Sequence, residues 1–213
     1  MNEYLKLRWF DLLASFDIDK ATAKTLWEEI VQYYAEGRRA YHNLNHLYDL
    51  FKKLDKYQAE VNDLKAVELA IWYHDIVYDP MSKDNEERSA ILCSKRLKTL
   101  GLSTSLKEKI YKLIWSTKTH AIEDWKNEAD KKDNEFLLDL DLSILGSNGD
   151  KYEKYTSQIR REYNIVPSFL YFSGRKKVLK HFLEMDRLFK TNSFYEKYEK
   201  AARKNIWKEL ETL

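Results

Sequence analysis

Residues 61–80 read VNDLKAVELAIWYHDIVYDP. From Val67 to Val77 this is the densest apolar stretch of the chain, broken only by Glu68, His74 and Asp75. The pattern predicts a helix over about 61–77, with Pro80 just beyond its end. Such a helix is apolar on most faces and belongs in a core. It is too short and too polar to span a bilayer, and no other stretch of the chain reaches eighteen apolar residues. A His-Asp pair near the end of a core helix is costly to bury, which directs attention to chemistry.

The rest of the chain extends the helical reading. Only five Gly and two Pro occur in 213 residues, and no run of alternating β-branched residues competes with a 3.6-residue period. The expected fold is all-α, a bundle of about nine helices. Among them are one starting at an Asp19 cap and ending at Gly37, one from about Asn43 to Leu54, and one from Ser82 or Asp84 to Gly101. Others follow a Ser105/Glu108 capping box to Trp115, cover Phe136–Leu145, and lie near 151–163, 175–190 and 194–211. A hydrophobic content of 44% with 14% aromatics can supply one sizeable core. A single domain over 1–213 is therefore expected, with a core at about 39–146 and a helical tail at 151–213. The loop Gly146–Asp150 separates the two.

Charge divides along the same line. Residues 151–213 hold fifteen Lys and Arg against eight Asp and Glu, which leaves 22 against 27 in residues 1–150. A basic tail beside an acidic His/Asp-bearing half would attract a phosphorylated small molecule. The net charge of +2 and the lack of a Gly-rich or RNP-like signature disfavour a nucleic-acid track. The amino terminus, MNEYLKLRWFDLL, has no signal-peptide core, and the single cysteine, Cys93, has no partner within the chain. Both features suit the cytoplasm.

The candidate ligands are His42 and His46 in YHNLNH, His74 and Asp75 in YHD, and Asp139 and Asp141 in LLDLDLSILG. Neutral imidazoles with carboxylates bind divalent first-row metals and leave positions for water and a substrate oxygen. His42 and His46 are expected on one helix face, four residues apart. Zinc peptidases with this spacing need a Glu after the first His, and Asn43 stands there instead. His74 and Asp75 diverge by about 100° around a helix. They can therefore share one ion only in a groove between helices, completed by a ligand from elsewhere.

This ordered set resembles the HD superfamily of metal-dependent phosphohydrolases. More narrowly, it is similar to a bacterial group of predicted HD phosphohydrolases marked by R-x-YHN-x-x-H (Arg39 to His46), HD-x-x-YDP (His74 to Pro80) and DNEERSA (Asp84 to Ala90). Further marks are T-x-x-H (Thr117 to His120), LDLDLSILG (Leu138 to Gly146), IR-x-EY (Ile159 to Tyr163) and Gly174-Arg175. The resemblance implies an HD-like helical bundle with His46, His74, Asp75 and Asp141 as metal ligands. His46 is preferred over His42 because an apolar residue, Leu47, follows it, and Asp141 over Asp139 because an apolar helical turn follows it. The implied cofactor is Mn, Fe, Co, Zn or Mg. The implied reaction is hydrolysis of a phosphomonoester or nucleotide by a metal-bound hydroxide, the water's pKa being lowered toward about 7.

In that scheme Asp75 both binds metal and orients the nucleophile. Arg39, Lys118, Arg160 and Arg175 are the candidates to neutralise phosphate. His42 and His120 would extend the site toward a second metal or contact the substrate, and Arg88 would support the ligands. Tyr152, Tyr155, Tyr163 and Tyr171 are read as packing residues first and base-stacking residues second. Two other readings stay open at this level. One is an HD-fold nucleotide-binding regulatory module without turnover; the other is a diiron oxygenase-type HD enzyme, for which only His42 and His120 could extend the ligand set.

Overall fold

A computed structural model describes all 213 residues. The chain is all-helical, with ten α-helices and a short 3₁₀ turn at Gln58–Glu60. They are α1 (Asn2–Ala14), α2 (Lys20–Tyr34), α3 (Leu44–Tyr57), α4 (Leu64–Tyr73), α5 (Asn85–Thr99), α6 (Thr104–Ser116), α7 (Glu128–Leu142), α8 (Gly149–Glu162), α9 (Ser168–Glu184) and α10 (Asn192–Thr212). Two compact units emerge, Met1–Leu137 and Leu138–Leu213. The division falls inside α7, ahead of the Gly146–Asp150 loop.

In the first unit α4 is buried continuously from Ala66 to Tyr73. Trp72 is its hub. Its ring meets Trp9 of α1 edge-on at 5.4 Å and Trp27 of α2 at 6.0 Å, and lies 4.6 Å from Phe51 of α3. Aromatic pairs at these angles gain from their quadrupoles as well as from buried area. Two hydrogen bonds lock the arrangement: Tyr34 Oη donates to the Trp72 carbonyl at 3.1 Å, and Trp9 Nε1 to that of Ala23 at 3.0 Å. Arg8 of α1 adds an ion-pair link to Asp55 and Glu68, on α3 and α4.

Helix ends show where sequence patterns mislead. α4 starts at Leu64, capped by Asp63 through Ala66 N (3.0 Å), because Asp133 of α7 takes the N–H groups of Asn62 (2.7 Å) and Asp63 (3.0 Å). Lys109 of α6 neutralises Asp133 at 2.9 Å. The cap of α6 is Ser103, not Ser105, accepting from Leu106 N at 3.3 Å. Asp19 caps α2 as expected, through Ala21 N and Thr22 N. α9 begins directly after Pro167, seven residues earlier than the periodicity indicates, since a fixed proline φ suits a helix entry. It stops at Glu184, where Glu199 of α10 captures the N–H groups of Leu188 and Phe189.

The second unit is organised around buried charge. Arg175 of α9 pairs with Glu209 of α10 (Nε to Oε1, 2.7 Å; Nη2 to Oε2, 3.1 Å), and Tyr152 of α8 donates to the same carboxylate at 2.5 Å. A buried pair of this kind is tolerable because nearly every donor is matched. Beside it Gly146 lies against α10: a Cβ there would sit 2.6 Å from Tyr198 Cβ and 2.8 Å from its carbonyl oxygen. Gly146→Ala should therefore lower the unfolding free energy by about 2 kcal/mol in urea denaturation, because backbone cannot yield as a side-chain tip can. An unchanged midpoint would show that the contact relaxes freely.

Candidate metal centre

The site grows from the carboxyl end of α4. His74 is its C-cap, and the segment 75–80 leaves the helix although its sequence continues the apolar pattern. Carbonyls and N–H groups freed there need other partners. Arg39, itself buried, supplies two of them, Nη1 donating to the Asp75 carbonyl at 2.6 Å and Nη2 to the Ile76 carbonyl at 2.7 Å, while Nη1 also reaches the His42 carbonyl at 3.2 Å. From α5, Asn85 clasps Asp79 through both backbone groups (2.9 and 2.8 Å), and Ser89 Oγ accepts from Val77 N at 3.0 Å. These side chains imitate backbone and hold the turn open.

The second histidine arrives from α3. Asn43 is the N-cap, its Oδ1 accepting from Asn45 N at 2.8 Å while its amide donates to the Ala40 carbonyl at 3.0 Å. That role accounts for an Asn where a peptidase would carry Glu. The cap also corrects an expectation: His42 precedes the helix, so it does not share a helix face with His46. Its ring instead stacks on Tyr78 at 4.4 Å, with Nε2 4.0 Å from Asp75 Oδ2. Tyr41 packs against His42 and His46, at 5.0 and 4.9 Å.

His46 Nε2 lies 3.2 Å from His74 Nε2, and Asp75 Oδ2 lies 2.9 Å from the latter and 3.6 Å from the former. His74 Nδ1 faces the Ile71 carbonyl at 2.9 Å, which requires a proton on Nδ1 and turns the Nε2 lone pair inward. Two imidazole nitrogens facing each other at this distance need a proton or a cation between them. The last turn of α7 carries Asp141. One ligand atom from each of His46, His74, Asp75 and Asp141 lies within 4.8 Å of the others. Metal–ligand bonds of about 2.1 Å place neighbouring donors about 3.0 Å apart on an octahedron and about 3.4 Å on a tetrahedron. The observed spacings bracket these values, so this His/Asp cluster can hold a divalent metal ion.

The other residues singled out by sequence fall in several places. Asp139 is fully buried and does structural work: it accepts from Lys190 N (2.7 Å), Thr191 N (2.7 Å) and Thr191 Oγ1 (2.6 Å) ahead of α10. Burial pushes its carboxyl up to about 6, against the pull of those hydrogen bonds. Arg160 donates to the Tyr163 carbonyl at 2.6 Å and covers the Tyr171 ring, and Arg175 is held by Glu209 and Tyr155. Both arginines thus have partners inside the second unit. Tyr152, Tyr155 and Tyr171 are buried there as packing residues. Arg88 forms an exposed pair with Asp84 at 3.8 Å and supports no ligand. Lys118, just past α6, places its ammonium 4.6 Å over the Trp115 ring. His120 has a positive φ of 52° and closes the α6 terminus by donating its N–H to Ser116 O. Neither His42 nor His120 belongs to the four-residue ligand group.

Glu86 was not anticipated. Burial raises its carboxyl above the usual range, the charge of Asp75 adds to the rise, and Lys118 and His120 oppose it. All three groups are thus within electrostatic reach of it. Its only sequence signal is membership of DNEERSA.

Comparison of the chain with protein-family models, curated proteins and solved structures finds no match.

Two expectations follow from this geometry. Asp139→Asn should lower the unfolding free energy by about 1–3 kcal/mol while leaving Co(II) binding intact, and Asp141→Asn should do the reverse. Thermal melts with metal titrations separate the two, and a swapped outcome would reassign the ligand. Arg39→Lys keeps the charge but loses the fork that reaches three carbonyls. It should weaken metal binding about 10- to 100-fold, as loss of a ligand-orienting contact typically does. Wild-type affinity in this variant would remove Arg39 from the positioning role.

Proposed function

We propose that the chain is a divalent-metal-dependent phosphohydrolase of the HD type, acting on a phosphomonoester or nucleotide in the cytoplasm. The observation that carries this reading is the convergence of His46 Nε2, His74 Nε2 and Asp75 Oδ2 within 3.6 Å. The donor set is nitrogen and oxygen without thiolate, which suits Mn, Fe, Co, Zn or Mg in a hydrolytic role. A divalent ion held there supplies Lewis acidity toward a phosphoryl oxygen and acidifies water for attack.

The chain's own residues do the remaining work. Asp75 has a second carboxylate oxygen with which to orient an attacking water. Glu86, whose carboxyl is pushed above its usual range by burial and by the charge of Asp75, is our candidate to give a proton to a leaving alkoxide. Lys118 is exposed and within electrostatic reach of Glu86, and it is our candidate to turn toward a phosphate. Arg39 holds the ligand-bearing turn, and the phosphate-neutralising role suggested by its sequence position passes to Lys118. The buried, unpaired Cys93 is compatible with a reducing compartment, and no helix is long and apolar enough to cross a membrane.

The test is elemental analysis of purified protein alongside phosphate release from a panel of nucleotides and phosphomonoesters, for wild type and Asp75→Ala. About one metal per chain with metal-dependent release, both lost in the variant, is the expected result. Metal without turnover on any substrate would favour a regulatory nucleotide-binding module, two irons per chain an oxidative enzyme. Absence of metal from both proteins after reconstitution would eliminate the centre.

A further inference from the structure

Ile165, Phe169, Leu170, Phe172 and Val178 all stand exposed around the entry to α9. Phe169, at 72%, and Ile165, at 68%, are the most exposed large apolar side chains of the chain. Single apolar residues on a surface need no explanation, but a group of them does. The exposure is held in place by the turn between α8 and α9. Arg160 donates to the Tyr163 carbonyl at 2.6 Å and to Ser168 Oγ at 3.2 Å, its guanidinium lies 4.7 Å over the Tyr171 ring, and Val166 N closes onto the Tyr163 carbonyl at 2.9 Å. Ile165 and Phe169 are therefore presented outward on a braced tip, and little ordering remains to be done when something covers them.

Charge on α9 has one sign. Residues 163–183 hold Arg175, Lys176, Lys177 and Lys180 and no Asp or Glu. Arg175 is drawn inward by Glu209, whereas Lys177 and Lys180 are exposed and Lys176 partly so. At about 100° and 1.5 Å per residue, Lys176 and Lys180 fall within about 20° of Phe169, and Lys177 within about 20° of Leu170, about 10–17 Å further along the axis. Tyr171, Arg175, Leu179 and Phe182 form the opposite, buried side. We propose that this end of α9 docks on an anionic lipid bilayer, with Ile165, Phe169 and Leu170 entering the boundary between headgroups and acyl chains and the three lysines meeting lipid phosphates. Interfacial helices sink their apolar side chains about 5–10 Å, so a tilted α9 leaves its lysines at headgroup level. The helix lies on the surface, being neither long nor apolar enough to cross it. Protruding side chains suit a fluid phase that closes around them, and a two-fold contact with a second copy would set these lysines against their own kind. The inference uses the second unit alone and is independent of the metal-centre reading.

The experiment is flotation of the full chain with vesicles of phosphatidylcholine alone and of equimolar phosphatidylcholine and phosphatidylglycerol, at low and high salt. It compares wild type with Phe169→Ser/Leu170→Ser, with Lys177→Gln/Lys180→Gln and with Leu7→Ser, which removes an exposed apolar side chain from α1 as a control. Wild type should bind the anionic vesicles, bind the neutral ones about tenfold or more weakly, and be released by salt. Each lysine near an anionic surface adds about fivefold, so the lysine double variant should lose about tenfold or more. The Phe169/Leu170 variant should lose about tenfold or more through its apolar area, and Leu7→Ser should bind as wild type does. Thermal melts confirm that the variants, all at exposed positions, fold. No binding to anionic vesicles, equal binding to neutral ones, or unchanged binding in Phe169→Ser/Leu170→Ser would overturn the proposal. A dimer in sedimentation that the same variant abolishes, without vesicle binding, would replace the bilayer with a second copy of the chain.

Discussion

The side-chain capture of backbone groups after Tyr73 is the constraint on which the site depends. An apolar segment such as IWYHDIV would continue as helix if nothing competed for its carbonyls. Arg39, Asn85 and Ser89 compete, taking the carbonyls of Asp75, Ile76 and Asp79 and the N–H groups of Val77 and Asp79. The chain therefore turns at the His-Asp pair, and Asp75 Oδ2 can swing beside His74 Nε2 instead of diverging from it around a helix. The cost of breaking a helix in the core is offset because the released polar groups are matched rather than buried alone.

The same logic separates two carboxylates that the sequence presents almost identically. Asp139 and Asp141 are two apart on α7 and so point to different sides of it. Asp139 meets the N–H groups ahead of α10 and becomes an anchor for the second unit. Asp141 instead belongs to the candidate ligand group. Buried acids elsewhere behave like Asp139: Asp133 ties the start of α4 to α7, and Glu199 and Glu209 hold the turns and helices of the second unit. Several of the basic residues that give the tail its charge are likewise occupied internally, Arg175, Arg187 and Arg203 among them.

Legibility tracked the range of the interaction. The all-α class was visible in the scarcity of Gly and Pro and in the 3.6-residue spacing, and the Asp19 cap is a purely local event. The starts of α4 and α9, the cap of α6 and the stop at Tyr73 were misplaced because each is decided by partners, or by a choice among nearby caps, that periodicity does not weigh. His42 illustrates the same failure at the site. Its spacing from His46 looked helical, yet the Asn43 cap puts it outside α3 and against Tyr78.

The sequence by itself determined a helical chain with a His/Asp donor set of metal-binding type, because residue chemistry and periodicity are local properties. The tertiary structure decided which of those donors meet, that Arg39 braces the turn, and that Glu86 shares the environment of Asp75. Those outcomes depend on where α3, α4 and α5 bring side chains from distant positions, and on how buried polar groups choose among the partners that packing places within reach.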